Sequence, residues 1–88
     1  MTLRILRYEL SVGADIDFPA GAVTRVEHVK GSGGSMIEFW VALGDHPMPN
    51  STYSMFGTGH TIPNGWTIVG TTGRCPKTSL VWHLARRP

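Results

Sequence analysis

Gly57-Thr58-Gly59-His60 sets two glycines around a hydroxyl residue and ends on an imidazole. Successive backbone N–H groups in such a stretch can face an anion, with His60 as a further donor. The same residues suit a tight turn that needs positive φ, and the lysine or helix start of a phosphate loop does not follow. Between Gly73 and Pro88 stand four cations, Arg74, Lys77, Arg86 and Arg87, and no acid. Gly57, Thr58, Gly59, His60 and Arg74 are therefore the candidate ligand site, suited to a phosphorylated small molecule such as a nucleotide signal.

Other chemistry is thinner. The histidines at 28, 46, 60 and 83 lack the close pairing of a zinc motif. Asp15 and Asp17 share one side of an extended segment but are too few for an oxygen-ligand metal site. Cys75, the single cysteine, precedes Pro76 in a cationic stretch that favours thiolate, yet nothing in the sequence sets a histidine beside it. No nucleophile elbow occurs around Ser51, Ser54 or Ser79. The expectation is a non-enzymatic protein with no catalytic residues, no metal and no cofactor.

Trp40, Trp66 and Trp82 all occupy strand-like runs, where a tryptophan is ordinarily core. Trp40 shares its face with Met36 and Glu38, and Glu38 belongs either on an open face or against an arginine. An exposed Trp40 face would be a protein-binding or self-association surface. Met36, Glu38, Trp40 and the outward-facing His83 are the candidate protein interface.

The chain that must position these groups has 88 residues, 41% hydrophobic and 16% charged. That composition fits one globular domain over residues 1–88. A domain of this size hides only about 60–65% of its unfolded surface, so a homo-oligomer is expected. The longest apolar run, Phe39 to Leu43, is far short of the roughly 20 residues that span a bilayer. Arg4 and Arg7 interrupt the apolar residues Leu3, Ile5 and Leu6, so no signal-peptide apolar region is expected there. With one cysteine and no disulfide, the cytoplasm is the expected compartment. A net charge of +2 is too small to claim a nucleic-acid partner, and none is expected, although the cations of residues 73–88 and base stacking by the tryptophans are the features that would serve one.

Eleven glycines and six prolines leave no window for a long helix. The remaining short alternating segments predict an all-β fold, a small antiparallel sandwich or partly open barrel of about six to seven strands. Leu3–Leu10 is the first strand, with Leu6, Tyr8 and Leu10 on one face. Phe18-Pro19-Ala20-Gly21 reads as a turn into Ala22–Lys30, whose three-residue valine spacing fits a β-bulge or a short helical turn, the bulge being the preferred reading. Gly31–Gly34 is a hairpin tip. Ser35–Leu43 is apolar on both faces, which makes it a central strand or an interface strand. A loop at Gly44–Asn50, strands at Thr52–Gly57 and Trp66–Thr71, and a loop at Gly59–Gly65 follow. Leu80–Leu84 closes the domain, with Leu80, Trp82 and Leu84 inward.

Phe18-Pro19-Ala20-Gly21-Ala22, the strand around Trp40, Phe56-Gly57-Thr58-Gly59-His60, Ile68-Val69-Gly70-Thr71 and Leu80-Val81-Trp82-His83 occur in that order. In this the chain resembles a family of small uncharacterised phage- or prophage-encoded all-β proteins. His28–Lys30 depart from the resemblance where a glutamine recurs. The resemblance implies a phage origin and no known activity. The expectation it supports is an accessory protein that binds a host protein in the host cell cytoplasm, inhibiting defence or growth. A homo-oligomeric binder of a phosphorylated ligand and a virion or assembly component are the alternatives.

Overall fold

The computed structural model describes residues 2–46 and 48–88. Seven strands, β1 (Arg4–Ser11), β2 (Asp15–Pro19), β3 (Ala22–His28), β4 (Met36–Leu43), β5 (Asn50–Gly57), β6 (Thr67–Thr71) and β7 (Trp82–Arg86), account for its regular structure. They form two antiparallel sheets, ordered β1-β4-β3 and β2-β5-β7-β6. The two sheets are stacked as a sandwich and do not close into a barrel. Among the described residues, no helix is long and apolar enough to cross a membrane.

Alternation within each strand decides which side chains fill the space between the sheets. From the three-stranded sheet come Leu10, Val26, Ile37, Phe39 and Val41; from the four-stranded sheet come Phe18, Tyr53, Met55, Trp82 and Leu84. An aromatic stack ties the layers together. Phe18 lies 3.9 Å from Tyr53 and 4.6 Å from Tyr8, centroid to centroid. The Tyr53 hydroxyl is buried with no hydrogen-bond partner among the described residues, and burial pushes its pKa up while nearby Arg86 offsets part of the rise.

The expected bulge is present: the β3–β4 register shifts between Val23 and Arg25. The strand apolar on both faces is indeed central, with β4 lying between β1 and β3. Ile37, Phe39 and Val41 face the core, and Met36, Glu38, Trp40 and Ala42 face outward.

Two expectations need correction. The segment read as a turn at Phe18–Pro19 is the end of strand β2, in which Ile16 and Phe18 face inward and Asp15 and Asp17 outward. Pro19 is tolerated because it ends an edge strand, where its missing N–H interrupts no ladder; the chain turns at Ala20–Gly21 instead. Leu80 is not an inward strand residue but is 41% exposed. The loop before β7 folds on itself, the Ser79 N–H reaching Cys75 O and the Cys75 N–H reaching Leu80 O. The closing strand therefore starts at Trp82. Residue 47 of the loop expected over Gly44–Asn50 lies outside the described residues.

Gly21 makes the turn into β3 possible by its lack of a side chain. A Cβ there would stand 2.6 Å from the carbonyl oxygen of Ala42 and 2.7 Å from Leu43 Cδ2. The first of these is backbone in the central strand and cannot swing aside. Gly21→Ala is expected to lower stability by about 1–3 kcal/mol, read as a lower urea midpoint with unchanged m.

Candidate functional site

Gly57–His60 is a self-closed turn. The His60 N–H donates to Gly57 O at 3.0 Å, and Gly59 takes φ +91°, the left-handed conformation open to glycine. His60 Nδ1 accepts from the Gly57 N–H at 2.9 Å, and the Thr58 N–H donates to Val81 O. Three of the four N–H groups that an anion would need are engaged inside the protein. His60 also lies edge-on to Trp82, 5.9 Å between centroids. Arg74 stands exposed in the β6–β7 loop, and no ion pair among the described residues includes it. The loop's own bonding thus favours the turn reading over an anion cradle.

The histidines disperse. His28 Nε2–H donates to Gly73 O at 2.8 Å and ties the end of β3 to the loop after β6. His83 shares a hydrogen bond with Thr71 Oγ1 on the outer side of the four-stranded sheet. His46 lies exposed in the loop after β4. Among the described residues, no three of His, Cys, Asp and Glu come together as metal ligands. Asp15 and Asp17 face outward on β2, where they accept hydrogen bonds from Ser54 and Thr52 across the β2–β5 ladder.

Cys75 is a free thiol in the loop between β6 and β7, and it is buried. The Thr78 hydroxyl and the backbone N–H groups of Thr78 and Lys77 hold its pKa below the ordinary range, against burial. The positive charge of Lys77 acts in the same direction, more weakly than these hydrogen bonds. Beside Cys75 a cavity of about 270 Å³ opens between the β3–β4 tip and this loop, lined also by His28, Lys30, Gly34 and Lys77.

The expected interface residues divide between two surfaces. Met36, Glu38 and Trp40 lie on the outer face of the three-stranded sheet, whereas His83 is on the outer face of the other sheet. Alternation placed Met36, Glu38 and Trp40 on one face of their strand and His83 outward on its own, but a strand apolar on both faces does not show which face is buried, nor that the two sets lie on opposite sheets.

The three-stranded face is ordered in rows across the strands. Register sets Arg7 and Arg25 on either side of Trp40, and Glu9 and Glu27 on either side of Glu38. Like charges directly opposite one another repel, and the arginines of the next row compensate. Arg7 Nη1 reaches Glu9 at 2.7 Å and Glu38 at 2.9 Å, while Arg25 pairs with Glu27. These carboxylates raise the Arg7 pKa further above its ordinary value. Arg7 and Arg25 are not legible as parts of this face in the sequence. Their relation to Trp40 depends on cross-strand register.

A second aromatic site, also not anticipated, lies on the outer face of the four-stranded sheet. Trp66 meets Phe56 edge-on at 5.4 Å, and the Arg87 guanidinium sits 5.4 Å from the Trp66 ring centre. With Asp15 and Ser54 these residues line a cleft of about 260 Å³.

A family profile described as Domain of unknown function (DUF7352) matches residues 1–88. No curated protein and no solved structure matches the chain.

Proposed function

This chain belongs to the DUF7352 family over its whole length, and we propose that it is a non-enzymatic module that binds a partner protein. The binding surface is the outer face of the β1-β4-β3 sheet. The observation that carries this reading is the Arg7–Trp40–Arg25 row, a tryptophan flanked by two arginines on an open sheet face. Tryptophan and arginine are the residue types most enriched among interface hot spots. The glutamate row restrains the guanidinium of each arginine before any partner arrives, which reduces the ordering cost of binding.

The resemblance to small phage-encoded proteins directs the search to a host protein, bound in the host cell cytoplasm, with a role in defence or growth control. The test compares the tagged protein with its Trp40→Ala variant in affinity capture from host lysate, followed by titration of the captured partner. The expected result is one partner retained by the parent chain and bound at least about tenfold more weakly by the variant. Unchanged circular dichroism would accompany it, since Trp40 lies outside the core. Equal retention by both proteins, or no partner with either, would overturn the reading.

A further inference from the structure

Four strands lie at sheet edges, and three of them carry features that discourage pairing with another chain. β2 presents Asp15, Asp17 and Pro19; β3 is bulged between Val23 and Arg25; β6 is bulged between Ile68 and Gly70. β1 has neither a proline nor a bulge, and its charged residues, Arg4, Arg7 and Glu9, are of both signs. Its eight residues run in unbroken register along β4, and among the described residues it pairs with no other strand. Ile5 within it is 55% exposed, and Leu3 and Val12 just beyond its two ends are 65% and 47% exposed.

The Val12 N–H donates to Ser35 O at 2.9 Å. In an antiparallel ladder alternate residues bond the same neighbour, so Leu6, Tyr8 and Leu10 turn their N–H and C=O groups to β4. Those of Ile5, Arg7 and Glu9 point out of the sheet edge.

We propose that β1 pairs antiparallel with β1 of a second copy of this chain, about a two-fold axis at Tyr8, to form a continuous six-stranded sheet. Charge selects this register. With Tyr8 opposite Tyr8, Arg7 of each copy stands opposite Glu9 of the other. A shift of two residues sets Arg7 opposite itself in one direction and Glu9 opposite itself in the other. A shift of one residue turns inward side chains against outward ones.

The chosen register extends beyond the edge strands. The Arg7–Trp40–Arg25 row of each copy comes into line with the Glu9–Glu38–Glu27 row of the other, and Leu3 and Ile5 gain cover. The pairing rests on the edge and not on the partner-protein reading of the Trp40 face, so either can fail alone.

Sedimentation equilibrium on the full chain, from about micromolar to millimolar, tests the proposal. A concentration-dependent dimer is expected. Ile5→Pro removes an outward N–H without breaking a bond to β4, and should weaken the dimer at least about tenfold. Arg7→Glu should also weaken it, and adding Glu9→Arg should restore it to within about threefold, because the exchanged charges meet again across the axis. Circular dichroism of dilute samples reports whether each variant is folded, and the charge exchange still decides the matter if Ile5→Pro is not. A monomer over the whole range, an assembly other than a dimer, or a double variant no tighter than Arg7→Glu would overturn the proposal.

Discussion

Replacing Phe18 by alanine is expected to cost about 3–5 kcal/mol of stability, the range for removing a large buried aromatic side chain. Phe18 is only 2% exposed, and its position explains the size of the effect. Its ring stacks on Tyr53 within its own sheet at 3.9 Å, and it meets Tyr8 and Phe39 of the opposite sheet at 4.6 and 5.3 Å. One side chain therefore joins both layers of the sandwich. A domain with a total stability on the order of 5–15 kcal/mol has little reserve against such a loss. Urea unfolding followed by circular dichroism should show a large fall in midpoint, with Phe18→Leu intermediate. A cost below about 1 kcal/mol for the alanine variant would mean that the aromatic stack does not hold the sheets together.

Trp82→Ala is the second substitution with a large expected effect, again about 3–5 kcal/mol. Trp82 combines packing with polar connections. Its indole N–H donates to Gly34 O at 3.1 Å, which fastens the β3–β4 tip to the start of β7. Its backbone N–H and C=O meet Thr72 Oγ1 and the Thr72 N–H. Trp82→Phe separates the contributions, because it keeps an aromatic ring but leaves the Gly34 carbonyl without its donor. The phenylalanine variant should lose about 1–3 kcal/mol, the range for stranding a buried polar group. Hydrogen exchange should locate the loosened region at residues 30–35. Equal losses in the two variants would assign the whole effect to the hydrogen bond, and no loss with phenylalanine would assign it to packing.

The outer face of the three-stranded sheet joins the fold to its proposed use. Three glutamates in register across three strands repel one another, and surface ion pairs return little net stability. The arrangement therefore contributes little to folding. It presents fixed charges around Trp40, and charge complementarity chiefly gives specificity and association rate. The same rows would select the β1 register in a two-fold dimer. A dimer would then carry two Trp40 faces on one sheet, so that a bivalent partner would gain from effective concentration.

Period-two alternation placed Leu6, Tyr8 and Leu10 on one face, the doubly apolar run pointed to a central or an interface strand, and the three-residue valine spacing favoured a bulge over a short helical turn. Each of these follows from the local geometry of an extended chain, which the residues themselves specify. The same local logic failed at Phe18–Pro19, where a proline that often marks a turn ends an edge strand. It failed again at Leu80, which a loop bonded between Cys75 and Ser79 keeps outside the sandwich. The candidate sites were legible as residue types but not as groups. His60 is engaged by Gly57 in its own turn, His83 and Trp40 occupy opposite outer faces, and Arg7 and Arg25 become neighbours of Trp40 through two different strand pairings. Alternation tells a residue which side of its own strand it faces. Which strands become neighbours, and in what register, is decided by contacts between distant parts of the chain, and only the folded sandwich brings these together.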